Sequence, residues 1–548
     1  MTTANNPAEG ASGGKTTDAV TGNAPAAPAP AAKPAPLPPL RGGQLIAGTI
    51  ALSLATFMNV LDTSIANVSI PAIAGDNGVS PSQGTWVITS FAVSTAITVP
   101  LTGWLAQRFG QVRVFLYATL LFTLASLLCA LSPNLQLLIA ARVMQGLVAG
   151  PMIPMSQALL LSSYPPAKAG IAMALWVMTT LVAPIIGPPL GGWISDNLSW
   201  PWIFYINIPV GFIAAWVTAT VFRGRETQIR QLPVDFVGLG LLVVWVGSMQ
   251  IMLDKGRELD WFNAPEIWVL AILAVVGFVI FLIWELTDEH PVVDLSLFRI
   301  RNFAIGTGAL ALAYGLFFGN VVLIPLWLQQ YMGYTATDAG LVLAPVGFLA
   351  LLISPIIGRN ISKLDPRMLA TVSFVCFAVV LWMRSRFTTG TDFDTIALPA
   401  LFQGIAMACM FIPLNTILLS GVGPERLAAA SGLSNFVRIA AGAAGTSLTT
   451  TLWDNRAQMH HSQLAERISD YNTTSVQTVQ QMQSQGLTQS QALGSIDRMI
   501  DAQSYTLAAD ELFYIAAGIF ILLIGVIWFA KVKRAPAGAG APAVSDAH

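Results

Sequence analysis

The sequence predicts an all-α polytopic membrane protein, and its composition is the first observation behind that prediction. Of the 548 residues, 54% are hydrophobic and only 10% are charged, whereas about a quarter of the residues in soluble domains are charged. So few charges cannot cover the surface of a soluble protein of this length, and lipid must cover much of it instead. The net charge of −1 gives no electrostatic support for a nucleic-acid partner.

Apolar stretches of spanning length are the second observation. A transmembrane helix needs roughly 20 predominantly apolar residues to cross a hydrocarbon core of about 30 Å. The fourteen windows that fit lie near residues 44–70, 82–106, 114–132, 136–156, 169–194, 201–222, 236–253, 267–284, 303–328, 339–358, 368–383, 396–418, 428–451 and 512–530. We therefore expect fourteen transmembrane helices.

Both ends of the chain are expected on the cytoplasmic side. Residues 1–42 hold almost no large apolar side chain and predict a disordered tail, and residues 531–548 form a second, short tail. The segments on one side of the predicted helices hold 18 Lys and Arg residues, and the segments on the other side hold 7. Since basic residues concentrate in cytoplasmic loops, this bias places both termini in the cytoplasm.

An internal repeat divides the chain into two similar halves. A shift of 258 residues lays Gln145-Gly146 on Gln403-Gly404. Parallel six-helix halves with a binding site between them are typical of transporters. The predicted organisation has three parts: a first six-helix bundle at 43–222, a connecting part with two inserted helices at 223–302, and a second six-helix bundle at 303–530.

Three charged residues lie well inside the predicted helices: Asp62, Arg142 and Arg438. Each charge costs about 2.5–3.5 kcal/mol at mid-membrane, so each predicts a functional site. Because burial disfavours an ionised carboxylate, Asp62 is suited to bind and release a proton; a structural, hydrogen-bonded aspartate is the alternative. Arg142 stays protonated, so it can stabilise or release that carboxylate as helices move, unless it is a static counter-ion.

Polar neighbours of these charges are candidates for a substrate cavity. Asn59 and Thr63 share a helix face with Asp62, by the i, i+3, i+4 spacing. Gln145 follows Arg142 by three residues, and Asn435 precedes Arg438 by three residues. Arg438 itself either faces the cavity or extends towards the membrane surface. The candidates are Asn59, Thr63, Gln145, Asn435 and Arg438.

A pattern of small residues occupies the fifth predicted helix. Gly187-Pro188-x-x-Gly191-Gly192 places small side chains where a neighbouring helix can approach closely, and the proline adds a bend. This pattern predicts a rigid seam between the halves that prevents leakage. Ordinary helix packing accounts for it equally well.

A short basic loop follows the second predicted helix. It contains Gly103, Arg108, Gly110 and Arg113. The simpler interpretation is anchoring of the cytoplasmic side by positive charge. The sharper one is a cytoplasmic latch that grips helix ends in one state of a transport cycle.

A long polar segment at about 452–508 is expected on the outer side. It contains Thr488-x-x-Gln491, which is typical of a helix-capping box. An apolar stripe at helical spacing follows, with Ala492 and Ile496 among its members. This pattern favours a helix that lies on its own bundle, and docking of another protein is the alternative.

Taken together, these motifs resemble the major facilitator superfamily. Residues from about 41 to 534 resemble its fourteen-span EmrB/QacA branch of drug:proton antiporters. The resemblance rests on four motifs: Leu61-Asp62-Thr63-Ser64-Ile65-Ala66-Asn67-Val68-Ser69-Ile70-Pro71, Arg142 with Gly146, Gly187-Pro188 with Gly191-Gly192, and Trp202-Ile203-Phe204-Tyr205-Ile206-Asn207-Ile208-Pro209. The chain departs at Gln107, where the family usually has Asp, so an Asp-based latch is in doubt.

The resemblance implies proton-coupled export of hydrophobic or weakly acidic drugs and toxins across the bacterial inner membrane. It also implies a tripartite pump, in which the 452–508 segment docks an EmrA-like periplasmic adaptor that leads to an outer-membrane channel. A narrow-substrate exporter of a metabolite or siderophore is the alternative. The proton gradient is the expected drive, with no cofactor and no metal. All four histidines lie outside the predicted helices, which disfavours a membrane enzyme.

Overall fold

The computed structural model describes residues 38–531, apart from 166–167, 230–232, 290, 362, 467 and 469–472. Most of the two predicted tails, 1–37 and 532–548, lies outside the described residues. Within the described part, all regular secondary structure is helical and there is no strand. The all-α prediction is therefore confirmed.

Eleven α-helices form the first half of the chain. They are α1 Gly42–Val68, α2 Ile70–Asp76, α3 Pro81–Gly84, α4 Trp86–Thr98, α5 Thr102–Phe109, α6 Gln111–Ala130, α7 Leu135–Ala149, α8 Met152–Ser163, α9 Ala169–Asn197, α10 Trp202–Tyr205 and α11 Asn207–Val221. Several consecutive helices belong to one longer apolar segment: α4 with α5, α7 with α8, and α10 with α11.

Nine further α-helices follow. The inserted pair is α12 Phe236–Lys255 and α13 Pro265–Thr287. The second half contains α14 Arg301–Tyr331, α15 Ala336–Asn360, α16 Pro366–Arg384, α17 Phe393–Leu419, α18 Leu427–Ala465, α19 Thr473–Ser484 and α20 Gln489–Trp528. The internal repeat relates α7 and α8 to α17, because a shift of 258 residues carries one segment onto the other.

Local sequence signals explain where several helices begin. The Asn134 side chain accepts a hydrogen bond from the Leu137 N–H at the start of α7, at 2.9 Å. Asp235 caps α12 through the Gly238 N–H at 2.8 Å. Such side chains satisfy backbone donors that the first helical turn leaves without a partner.

By length and composition, eleven helical segments of the described chain could cross a membrane, or up to 13 if two bent pairs each count as one span. The pairs are Trp86–Thr98 with Thr102–Phe109, bent by 60°, and Ala169–Pro184 with Pro189–Ser195, bent by 41°. The remaining predicted window, 428–451, lies within α18. The chain is thus a multi-pass membrane protein, and the expected fourteen spans are compatible with its helices.

The two halves pack directly against each other on the side that carries the turns at 109–111 and 360–366, which we call the basic face. A methyl group on Gly103 of α5 would lie 2.5 Å from the Ala429 Cβ of α18. A methyl group on Gly358 of α15 would lie 2.6 Å from the Gly170 carbonyl oxygen of α9. These close approaches join the first half to the second at the basic face.

The inserted helices contact both halves at the opposite face. The Lys255 ammonium at the end of α12 donates to the Thr85 hydroxyl, at 3.0 Å, just before α4. Arg257 forms an ion pair with Asp454 of α18 at 2.8 Å. The inserted pair is therefore a bridge between the two halves rather than a separate appendage.

The segment at 452–508 consists largely of helix extensions. α18 continues to Ala465 and α20 begins at Gln489, and the two helices lie side by side. The Trp453 indole donates to the Tyr505 carbonyl at 2.8 Å, and His460 lies 3.1 Å from Glu511. The two extensions therefore support each other beyond their apolar parts.

The capping box predicted at the start of α20 is confirmed. The Gln491 N–H donates to the Thr488 hydroxyl, and the Thr488 N–H donates to the Gln491 side chain at 2.9 Å. In the apolar stripe that follows, Ala492 and Ile496 are buried, but Met499 is 62% exposed. Part of the stripe thus packs on the protein itself, and part of it remains uncovered.

Candidate functional site

Asp62 of α1 and Arg142 of α7 form a buried ion pair. The Arg142 Nη1 atom lies 2.5 Å from the Asp62 Oδ2 atom, and neither side chain is more than 1% exposed. Removing two charges from water costs several kcal/mol per ion, and a close, hydrogen-bonded geometry offsets much of that cost. The structure thus brings together the two charged residues that the sequence singled out in the first half.

Two side-chain amides complete the environment of the Asp62 carboxylate. Asn207 of α11 donates to Oδ1 at 2.8 Å, and Gln145 of α7 donates to the same oxygen at 3.2 Å. Both amides also donate to the Ser126 hydroxyl of α6, at 2.8 and 3.2 Å. Three donors from two helices therefore surround the carboxylate.

The Arg142 guanidinium is fixed by more than its carboxylate. Its Nε atom donates to the Val87 carbonyl of α4 at 3.0 Å, and its Nη1 atom donates to Gln145 at 2.7 Å. The guanidinium lies 4.2 Å from the centre of the Phe91 ring and 5.5 Å from that of Phe204. Its Nη2 atom is buried with no hydrogen-bond partner. Arg142 therefore keeps contacts to α4 that do not depend on Asp62.

Small residues of α7 let α4 approach the arginine. A methyl group on Gly146 would lie 2.6 Å from the Phe91 carbonyl oxygen. Such close contact is typical of small residues between transmembrane helices. The sequence pattern Arg142-x-x-Gln145-Gly146 therefore places three features on one face of α7: the positive charge, a hydrogen-bond partner of that charge, and the site where α4 packs closely.

The other cavity candidates of α1 do not reach this cluster. Asn59 is buried and donates to the Ala149 carbonyl at 3.0 Å. Thr63 bonds back to the Asn59 carbonyl of its own helix at 3.4 Å. These two residues share the helix face of Asp62, but the structure gives them partners that are separate from the ion pair.

A second polar cluster joins α8 of the first half to α17 and α18 of the second. Gln157 of α8 donates to Asn415 of α17 at 3.0 Å, and Asn435 of α18 donates to Gln157 at 3.3 Å. The Arg438 Nη2 atom donates to the Asn435 side-chain oxygen at 2.6 Å. The guanidinium of Arg438 also lies 4.7 Å from the centre of the Tyr314 ring. Arg438 and Asn435 thus lie at the seam between halves, and Arg438 does not extend to the membrane surface.

The glycine pattern of α9 packs against α1. A methyl group on Gly187 would overlap the Ser64 side chain, and one on Gly191 would lie 2.9 Å from Ile65. Gly192 has open space, with Val68 3.9 Å away. The side chain of Pro188 lies outside the described residues. The close seam therefore lies within the first half, one turn from Asp62, so the prediction of a seam between the halves at these residues is wrong.

The basic loop is organised by a carboxylate from elsewhere in the chain. Glu226, which follows α11, accepts the Val112 N–H at 3.0 Å and the Arg113 N–H at 2.9 Å. These N–H groups belong to the first turn of α6, where an anion is favourable. Gly110 has φ of +93°, and any side chain there would overlap Glu226. Arg108 lies over the Trp104 ring at 5.4 Å. Glu226 thus supplies an acidic side chain to this loop, which has Gln107 at the position where the family usually has Asp.

Sequence analysis missed further buried charges near the ends of helices. Arg384, the last residue of α16, is 1% exposed, and its Nη2 atom donates to Gln403 of α17 at 2.6 Å. Its Nε and Nη1 atoms are buried with no hydrogen-bond partner. Glu285 of α13 is also buried, and accepts the Val293 N–H at 3.1 Å. The apolar windows ended just before each of these residues, which made them look like surface charges.

Comparison with known proteins decides the family. The Major Facilitator Superfamily pattern matches residues 52–446. The chain belongs to the major facilitator superfamily. The multidrug export protein EmrB of Escherichia coli K12 is 55% identical over 503 residues, which are 92% of this chain and 98% of EmrB. EmrB of Haemophilus influenzae is 53% identical over 495 residues, which are 90% of this chain and 97% of that one.

A solved structure supports the same fold for this major facilitator. The human organic anion transporter MFSD10 (TETRAN) superposes with a TM-score of 0.57, over 89% of this chain and 100% of that chain. At 15% identity, the similarity extends to the fold alone. The predicted resemblance to EmrB and the predicted major facilitator fold are both confirmed.

Proposed function

We propose that this major facilitator exports hydrophobic or weakly acidic drugs and toxins across the bacterial inner membrane, in exchange for protons. The observation that carries the proposal is the sealed Asp62–Arg142 pair, in a chain 55% identical to a multidrug export protein. Both termini are on the cytoplasmic side in this proposal. The basic face is then the cytoplasmic face, in accordance with the positive-inside rule.

Asp62 is the group that exchanges the proton. In its ionised form it holds α1 to α7 and α11 through Arg142, Gln145 and Asn207. Protonation neutralises Asp62 and weakens all three bonds, because charge-assisted hydrogen bonds are roughly twice as strong as neutral ones. Arg142 keeps its contact to Val87, so the change falls mainly on the position of α1. A shift of α1 relative to α7 is the link between the proton and the movement of the halves.

The proton gradient supplies the energy, and the chain needs no bound cofactor. Moving one charge through 100 mV provides about 2.3 kcal/mol, which supports roughly a fifty-fold gradient of a neutral compound. The chemistry required of the protein is binding, release and protonation rather than bond cleavage.

We further propose that the α18 and α20 extensions dock a periplasmic adaptor of the EmrA type, which leads to an outer-membrane channel. The exposed Met499 of α20 and the short helix α19 are the surfaces available to it. Residues 452–508 exceed the length needed to join two spans, which supports a role beyond connection.

Purified protein in liposomes tests the export proposal. We expect addition of a hydrophobic substrate to drive proton movement in the opposite direction, and an imposed pH gradient to drive substrate accumulation. A narrow-substrate metabolite or siderophore exporter is the other candidate, and a substrate panel in a pump-deficient strain separates the two. Substrate movement that ignores the pH gradient would contradict proton exchange.

A further inference from the structure

The 258-residue offset between the halves also relates buried polar residues. Four pairs are related in this way: Asp62 and Asn320, Ser126 and Arg384, Gln145 and Gln403, and Gln157 and Asn415. The second half has the amide of Asn320 where the first half has the carboxylate of Asp62. It has the guanidinium of Arg384 where the first half has the hydroxyl of Ser126. The first half thus combines an acid with its counter-ion, whereas the second half has a positive charge at one related position, Arg384, and no acid at the other three.

Arg438 is a second buried arginine of the second half, in addition to Arg384. Within the part of the chain that the structure describes, no carboxylate lies within 4.0 Å of its guanidinium. Its hydrogen-bond partner is the neutral Asn435 amide, at 2.6 Å. A charged group at this depth without a counter-ion is costly, which marks it as functional.

Aromatic rings flank the Arg438 guanidinium. The Tyr314 ring centre lies 4.7 Å from its central carbon and the Phe411 ring centre lies 5.8 Å away. Such rings stabilise a cation and offer flat apolar surface to an aromatic ligand. Arg438 is 7% exposed, whereas Arg384 is 1% exposed. Of the two buried arginines without an acid, Arg438 is therefore the more accessible.

Arg438 lies at the seam between the two halves. Asn435 links Arg438 to Gln157 of the first half, and Gln157 is bonded to its repeat partner Asn415. In transporters built from two repeats, the site lies at the repeat interface near the membrane midplane. Separation of the halves would break these amide contacts and uncover the guanidinium.

We propose that Arg438 binds the negative group of an aromatic monoanion, a carboxylate or phenolate, while Tyr314 and Phe411 hold its apolar body. The guanidinium presents a planar fork of donors that matches a carboxylate. An incoming anion supplies the counter-ion that Arg438 lacks, whereas a neutral analogue does not and a cation is repelled. This assignment rests on the proposed export function and selects anions within it.

Binding to purified full-length protein tests the assignment with matched compounds. The probes are 2-naphthoate and 4-biphenylcarboxylate, each with its neutral amide, measured by titration calorimetry. We expect Arg438→Gln to weaken carboxylate binding by about 10- to 100-fold, since a hydrogen bond to a charged group is lost. Amide binding changes by no more than about threefold. Arg386→Gln is the matched control, because Arg386 lies over Trp382 at the far end of α16.

Further measurements keep the outcomes distinct. Arg438→Lys retains the positive charge but loses the planar set of guanidinium donors, so it should weaken carboxylate binding less than Arg438→Gln does. It replaces Arg438→Gln in the test if that variant fails to fold. Equal losses for carboxylates and amides would assign Arg438 a structural role and overturn the proposal. Unchanged carboxylate binding, or none in the wild type, overturns it as well. Transport of a neutral substrate by the wild-type protein in liposomes is measured separately. Failure of the proposed export function is thereby distinguished from failure of the assignment of Arg438.

Discussion

Replacement of Asp62 by asparagine is the sharpest test of the buried pair. The amide keeps an oxygen for the Asn207 and Gln145 donors, which both reach Oδ1 in the wild type. Its NH2 group replaces Oδ2 and then faces the Arg142 Nη1 atom, which lies 2.5 Å from Oδ2. Two donors oppose each other, and a buried guanidinium loses its counter-ion. Removal of one partner of a buried pair destabilises by about 3–5 kcal/mol.

A second substitution separates stability from proton exchange. Asp62→Asn with Arg142→Gln removes both charges, and neutral replacement of a buried pair is far less destabilising. We expect the double variant to recover most of the loss in thermal stability, measured on detergent-purified protein. Neither variant should couple substrate to protons in liposomes, because neither has the titratable group.

The coupling role is refuted if either variant accumulates substrate under a pH gradient at the wild-type rate. A double variant that is stable and couples normally would leave Asp62 as a structural hydrogen-bonding residue. The third possibility, a double variant no more stable than Asp62→Asn alone, would contradict the electrostatic reasoning.

Three further predictions follow from contacts described above. Arg142→Lys should lose most transport in liposomes, because one ammonium cannot occupy the positions of both Nε and Nη1; full activity would mean that only a point charge is needed. Gly187→Ala should cost about 1–3 kcal/mol of thermal stability through overlap with Ser64, whereas Gly192→Ala, its control in open space, should cost little; equal effects would contradict close packing. Replacing α19 by a Gly/Ser linker of equal length should abolish resistance in cells but preserve transport in liposomes, and full cellular resistance would exclude α19 from adaptor docking.

The ion pair was predictable from sequence because charge is rare within apolar windows. Asp62 and Arg142 stand out against apolar neighbours, and burial of a charge demands a partner. Asn207 and Ser126 could not be found in the same way, since neutral polar residues are common in membrane helices. Asn207 is 145 residues from Asp62, and only the packing of α11 against α1 brings them together.

Boundaries of helices were less predictable than their existence. Hydropathy marks the apolar part of a helix. The window at 428–451 therefore ended before the polar end of α18, and the window at 512–530 began after the polar start of α20. Arg384 was missed for the same reason, because a charge that follows an apolar window resembles a surface residue. The acid that serves the basic loop, Glu226, was hidden by sequence distance.

That distance has a consequence for how the protein is made. The first turn of α6 is capped by a carboxylate that lies 114 residues further along the chain. At translation rates of roughly 5–20 residues per second, Glu226 leaves the ribosome about 6–23 s after Val112. During that interval the backbone donors of the nascent helix lack this partner, so other acceptors such as water must satisfy this end of α6 while α7 to α11 enter the bilayer. The cap closes only when the last helix of the first half has been synthesised, which makes it a late step of biogenesis.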